Sequence, residues 1–329
     1  MARLVRFHQL GGPEMLRIED IFVARPRPGE VRIRVHALGL NRAEAQFRGG
    51  TYIEEPDLPA GLGLEAAGVI EEIAPDVTGL APGDRVAVIP PASMKLSPVH
   101  GEVINFPGRL VVPIPTDQSF ESAAATWMAY LTAFGGLLEV AAIEAGDQVV
   151  VSAASSSVGL AAIQVAEAVG AVPIALTRTN RKRDALLAAG AARVIATDQG
   201  DVAESIRAVT GPRGARVFFD GVGGRLVPML VSAAAPGGII INCGALDAEM
   251  MDLPPASLLK KSLTLRGYLM HEVTQSPVSL SRAKAFILER LASGEFRPVI
   301  ARTFALDEIA AAYRYLESNE QFGKIVVTV

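Results

Sequence analysis

The chain has 329 residues, half of them apolar and a fifth charged, and its 31 basic and 35 acidic side chains leave a net charge of −4. This composition fits a folded protein large enough for two cores; it excludes a disordered chain and argues against general nucleic-acid binding. No unbroken run approaches the roughly 18 apolar residues of a membrane helix, the N-terminus lacks an apolar signal core, and the single cysteine, Cys243, excludes an intrachain disulfide and points to a cytoplasmic protein.

The first third reads as β-rich. "EVRIRVHALGL" alternates apolar and charged residues at period two, and "GLEAAGVIEEI" and "GDRVAVI" are further strands, separated by the Pro and Gly turn signals of "APDVTGLAPG". The following stretch, "IPPASMKLSPVHGEVINFPGRLVVP", carries Pro90, Pro91, Pro98 and Pro107 and reads as an irregular loop able to shape a substrate site. From about residue 125 short apolar runs, "QVVVSAA", "VPIALTR", "ARVIAT", "RVFFDGV" and "GGIIINCGA", alternate with helical stretches, which implies a parallel sheet covered on both faces. The tail is strand, helix, strand, with Asp307 as a helix cap, and groups with the first domain.

The segment "QVVVSAASSSVGLAAIQVAEAVG" has the strand, tight turn and small-residue helix of a dinucleotide-binding unit. Ala153, Ser156 and Gly159 occupy the places of the usual glycines, with Gly159 in the helix-packing role. Ser155, Ser156, Ser157 and Val158 then supply backbone N–H groups and hydroxyls for a phosphate, although a plain helix cap would use serines equally well.

The end of the next strand decides more. About 20 residues past such a turn, an NAD-preferring site places a carboxylate on the ribose, but here the sequence is "ALTRTNRKRD". Thr177 is followed by Arg178, with Lys182 close behind, and a guanidinium pairs with the 2′-phosphate of NADPH where a carboxylate would repel it. A basic helix start opposes the macrodipole, so an anion nearby would explain it.

Together with "GLNRAEAQFRGGTY", "AYLTAFGGL", "FFDGVGG" and "FGKIVV", these segments resemble the medium-chain dehydrogenase/reductase superfamily, in particular its zinc-independent quinone oxidoreductase and enoyl reductase branch. The resemblance covers essentially the whole chain. It implies an α/β protein in which a β-rich GroES-like catalytic domain (1–124 and 270–329) accompanies a Rossmann domain with a doubly wound parallel sheet (125–269) that binds NADPH. Where zinc-dependent members carry metal ligands, this sequence has Asn41, Leu64 and Met128, so no metal is expected.

By position the resemblance also assigns roles. Asn41 becomes a hydrogen-bond donor near the reacting carbonyl and Tyr52 a donor or proton source, against turn and packing roles for the same residues. Thr132, Cys243 and Gly244 fall on the nicotinamide side, and Lys324 within reach of the cofactor phosphates. The expected activity is hydride transfer from NADPH to a small-molecule substrate, a quinone or an α,β-unsaturated carbonyl. The alternatives are a CoA- or carrier-linked enoyl-thioester reductase, and a non-catalytic NADPH-binding sensor or structural protein. A homodimer is implied, with "KKSLTLRGYLM" as the edge strand.

Overall fold

The computed structural model describes all 329 residues and separates into two compact units, Met1–Met128 with Pro298–Val329, and Ala129–Arg297. The first unit begins with β1 (Ala2–Phe7), β2 (Leu16–Ile21), β3 (Glu30–Gly39) and helix α1 (Arg42–Gly49). Then come β4 (Ala60–Gly61), β5 (Glu65–Ile73), β6 (Arg85–Val88), β7 (Val103–Pro107), β8 (Val111–Pro113) and the one-turn helix α2 (Phe120–Ala123). In β3 the alternation read from the sequence is physical: Val31, Ile33 and Val35 are buried, while Arg32 and Arg34 point outward to Glu72 (3.3 Å) and Glu71 (2.5 Å). The proline-rich stretch is not wholly irregular. Its second half forms β7, which pairs antiparallel with β3 from Glu30 to Arg34, and β8, which pairs with β6.

Helix α3 (Trp127–Phe134), which runs on into a π-helical turn at Gly135–Val140, carries the chain into the second unit. There β9 (Gln148–Val151), α4 (Ser157–Ala168), β10 (Val172–Thr177), α5 (Arg183–Ala188), β11 (Arg193–Ala196), α6 (Val202–Thr210), β12 (Ala215–Asp220), α7 (Val227–Ala233), β13 (Ala234–Asn242), α8 (Pro255–Lys261) and β14 (Thr264–Gly267) alternate. The six strands are all parallel, in the order β11-β10-β9-β12-β13-β14. This is the doubly wound arrangement, which turns round between β9 and β12 and leaves a crevice at the strand C-termini. Its core sets Val150, Ile174, Phe218 and Ile240 of the strands against Val202, Ile206, Leu230 and Val231 of α6 and α7.

Residues 270–297, expected with the first domain, pack in the second unit instead. They form α9 (His271–Thr274) and α10 (Pro277–Ala292). Phe286 lies against Phe134 with ring centroids 5.5 Å apart, Phe296 stacks on Tyr130 at 4.6 Å, and Glu139 accepts hydrogen bonds from Ser279 and Arg282. The stretch contains no further strand–helix repeat to announce its place; its aromatic side chains decide it. The first unit then closes with β15 (Ile300–Ala305), α11 (Ile309–Ser318) and β16 (Lys324–Thr328), giving the sheet path β15-β16-β3-β5-β6-β8 beside a smaller sheet β2-β1-β4. Asp307 caps nothing: it pairs with Arg3 at 2.9 Å, and Glu308 takes the backbone N–H of Ala305. No helix is long and apolar enough to cross a membrane.

Phe218 is wholly buried in the second unit's core. Phe218→Ala is therefore expected to lower stability by about 3–5 kcal/mol, measured by denaturant unfolding with an unchanged m-value.

Candidate functional site

In the second unit the polar groups gather at the C-terminal ends of β9, β10, β12 and β13. The turn after β9 holds Ala153 at φ 45°, a left-handed conformation that an alanine adopts only under strain and that the usual glycine would take freely. Ser156 caps α4, its Oγ accepting from the Gly159 N–H at 3.0 Å, and Ser157 and Val158 form the first turn. Gly159 is obligatory: a Cβ there would stand 2.6 Å from the Ala153 carbonyl oxygen. The helix can therefore press directly onto the turn and aim its free N–H groups at the crevice.

Beside this turn, Thr177 ends β10 and Arg178 follows it, exposed. Lys182, in the short 3-10 turn before α5, donates from Nζ to Ser155 Oγ at 3.1 Å. Arg178, Arg181, Lys182 and Arg183 thus follow the end of β10, and Lys182 already bonds to the serine turn. The donors fit a phosphorylated dinucleotide: backbone N–H groups for a pyrophosphate and a guanidinium with an ammonium for a further phosphate.

A second set of bonds, absent from the sequence reading, ties the strand ends together. Buried Ser152 hydrogen-bonds Asp220 Oδ1 at 2.5 Å and accepts the Gly221 N–H at 2.9 Å. Asp220 also accepts from the Val222 and Gly223 backbone and from Asn242 Nδ2. The signal is present in "FFDGVGG", where a carboxylate ends an apolar run. Gly223 does adopt a turn conformation, at φ 74°. Cys243, partly exposed, donates its thiol to the Asp220 carbonyl at 3.4 Å, and desolvation, then Asp220, push that thiol above its usual range. Gly244 leaves no room for a side chain, since a Cβ would lie 2.7 Å from the Gly221 oxygen. Thr132 is buried within α3.

In the first unit the outcome differs from expectation at two residues. Lys324 is buried at the start of β16 rather than reaching outward, and its Nζ donates to Asn41 Oδ1 at 2.6 Å and to the Glu65 carboxylate. Asn41 in turn offers no free donor. Its Nδ2 is directed at Gly39 O (3.0 Å), Glu44 Oε1 (3.1 Å) and Glu65 Oε2 (3.3 Å), and its backbone N–H goes to Glu44 Oε2 (2.8 Å). Asn41 is thus the hub of a buried network, its carboxamide hydrogen-bonded within the protein on both sides. Apolar–charged patterning could not show this, because it depends on β5 and β16 converging on the end of β3.

Glu44 is fully buried and surrounded by donors, including the Leu64 N–H at 2.9 Å and the Tyr313 hydroxyl at 2.7 Å. Burial raises its carboxyl above the usual range, opposed first by the Asn41 N–H and then by the Tyr313 hydroxyl; burial also raises Glu65, opposed first by Lys324. Tyr52 is half-buried, its ring set edge-on to Phe47, and burial followed by Glu54 and Glu44 pushes its hydroxyl up to about 12. It remains a neutral phenol, able to donate a hydrogen bond. The segment that bears it is tied to the 93–97 loop, where Glu54 accepts from Ser93 and from the Met94 N–H and Lys95 pairs with Asp57 at 2.8 Å. Ile53 and Leu96 project from these two loops into solvent.

Residues 27–116 match the family described as "Alcohol dehydrogenase GroES-like domain", and residues 157–284 match "Zinc-binding dehydrogenase". Quinone oxidoreductase 1 of Escherichia coli is 30% identical over 98% of both chains. The chain belongs to the medium-chain dehydrogenase/reductase superfamily, in its quinone oxidoreductase branch. The solved E. coli quinone oxidoreductase, in complex with NADPH, superposes with a TM-score of 0.92 at 28% identity and full coverage of both chains. The spectinabilin polyketide synthase system protein NorB of Streptomyces orinoci is 33% identical over 92% of this chain, which spans only 13% of that protein's length.

His100 is buried, and desolvation, then Lys324, lower its pKa from 6.5 to about 3. The unfolded chain therefore binds a proton below pH 6.5 that the native state refuses, so His100 contributes stability above that pH and loses it as the pH falls towards 3. Over that window wild type should lose stability faster than His100→Gln, by up to about 1.4 kcal/mol per pH unit, read as the difference between their unfolding midpoints.

Proposed function

We propose that the protein is an NADPH-dependent reductase of quinones that works without a metal ion. The observation that carries the cofactor choice is the basic pair after β10: Arg178 where an NAD-selecting carboxylate would stand, and Lys182 bonded to the serine turn. Ser155, Ser156, Ser157 and the first turn of α4 would hold the pyrophosphate, and Arg178 with Lys182 the 2′-phosphate. When bound, NADPH supplies the hydride that reduces the quinone, and a proton completes the hydroquinone.

The remaining chemistry falls to this chain. The positions of zinc ligands in metal-dependent relatives are Asn41, Leu64 and Met128; Asn41 is enclosed by carboxylates and an ammonium, and Leu64 has no ligand atom. Charge that develops on the carbonyl oxygen therefore needs a hydrogen-bond donor, and Tyr52, neutral across the physiological range, is our candidate. The exposed Ile53 beside it and Leu96 on the bound loop give this surface an apolar edge that suits a flat, poorly hydrated substrate. A homodimer in the cytoplasm accords with the uncovered edge strand β14 and the single thiol.

A second reading, an enoyl-thioester reductase, is favoured by the 33% identity to a polyketide synthase system protein. The absorbance of NADPH, followed with a simple quinone, an enone and a short enoyl-CoA, separates the two: preferred turnover of the thioester would reject the quinone reading. Arg178→Ala should weaken NADPH binding about 10- to 100-fold, the scale of a lost charge-assisted hydrogen bond, while NADH binding barely changes; equal losses would mean that Arg178 does not meet the 2′-phosphate. Tyr52→Phe should lower kcat by about 10-fold, with no ionisation of a catalytic phenol in the pH–rate profile below pH 11.

A further inference from the structure

Lys324 and Glu65 form an ion pair that is 1% exposed on both sides. Such a pair is a poor stability device, since desolvating two charges offsets most of their attraction and apolar residues of similar volume often serve as well. What the pair does supply is direction. An ammonium only donates and a carboxylate only accepts, so Asn41, placed between them, can sit in one orientation alone, with Oδ1 towards Lys324 and Nδ2 towards Glu65 and Glu44.

The same carboxylate reaches further. Glu65 Oε1 accepts the Met128 N–H at 2.7 Å, near the start of α3, while Oε2 takes Lys324 and Asn41. One side chain on β5 therefore fixes β16, the end of β3 with the start of α1, and the start of α3. Gly39 is the concession that permits it, because a Cβ at that position would stand 2.7 Å from Lys324 Cε and 2.0 Å from the Ala124 oxygen. Asn41 opens α1, and Tyr52 lies three residues beyond that helix's last residue.

We propose that Lys324 and Glu65 are a positioning pair: by holding Asn41 on both faces of its carboxamide they set the placement of α1 and, through it, of Tyr52. The link to catalysis rests on the reading of Tyr52 given above. The test is the double variant Glu65→Leu/Lys324→Met, which removes both charges together and should keep a wild-type Tm to within a few degrees, as paired apolar replacements do. Amide hydrogen exchange over residues 42–52 should then quicken by about 10-fold or more. With a quinone, kcat should fall about 10- to 100-fold, the scale of a misplacement near 1 Å, while NADPH affinity and the quinone KM stay within about two-fold of wild type.

Wild-type exchange over residues 42–52 in the folded double variant would overturn the proposal. So would faster exchange accompanied by wild-type kcat. If the wild-type protein itself reduces no quinone, the functional reading fails, and the exchange measurement still decides whether the pair holds α1. Should the double variant unfold, the charge-neutral Glu65→Gln is the second arm: it keeps the side-chain shape, and unchanged exchange over 42–52 together with unchanged kcat would overturn the proposal equally.

Discussion

A buried carboxylate must be given donors on every side, and in the first unit that demand, made by Glu65 and Glu44, organises the interior. Glu65 takes the Lys324 ammonium, an amide proton of Asn41 and a backbone N–H; Glu44 takes two donors from Asn41, one from Leu64 and one from Tyr313. These donors come from β16, α3 and α11 and from the residues that immediately precede α1 and β5. Each of those elements is also anchored by apolar packing, but packing tolerates small slips that a charged hydrogen bond does not. The network is nearly complete. His100 is its exception, with Nε2 unpartnered and 3.7 Å from Glu44 Oε1, and desolvation keeps that imidazole neutral.

The second unit meets the same demand by another route. Asp220 is satisfied by one serine hydroxyl, two turn N–H groups and one asparagine, with no cation among them. The effect is to pin the ends of β9, β12 and β13 where the parallel sheet changes direction, so the loops that would surround a dinucleotide start from a rigid base. Positive charge is kept instead for the periphery of that site, at Arg178 and Lys182, where solvent lowers the cost of carrying it. Backbone strain sits at Ala153, inside the turn itself, which fits a place where the chain must bend sharply beside a helix start.

Much of this was legible in the sequence because it depends on local patterning. The alternation of β3, the apolar runs of β9 to β13, the small face of α4 and the basic residues after β10 each announce themselves within a dozen positions. The parts that were not legible depend on residues far apart in the chain. Lys324 lies 283 residues from Asn41 and 259 from Glu65, and nothing near "FGKIVV" marks the lysine as buried. Likewise α10 carries an amphipathic pattern that would suit either unit, and it is assigned by contacts with α3 and the turn after it: Phe286 against Phe134, Phe296 just beyond the helix stacked on Tyr130, and Ser279 and Arg282 on Glu139. The β7 strand was hidden by the prolines of the stretch around it; its one proline, Pro107, ends it where the ladder with β3 also ends, at Glu30.

The state of the titratable groups around Tyr52 bears on which reduction the first unit serves. Reducing an activated alkene leaves an enolate that must gain a proton at carbon, and that step benefits from an acid held at one face. The acids and bases of this segment are already committed: Glu44 and Glu65 to buried donors, Glu54 to Ser93 and Met94, and His100 to a neutral interior. Tyr52, pushed up to about 12, is a phenol that holds its proton, and under the proposed role it would serve an oxyanion as a hydrogen-bond donor rather than as an acid. A quinone needs no more than this, because its charge ends on oxygen, where exchange with water is fast and no geometry has to be arranged. The electrostatics of the first unit therefore favour a substrate protonated on oxygen, and with it the quinone over the alkene.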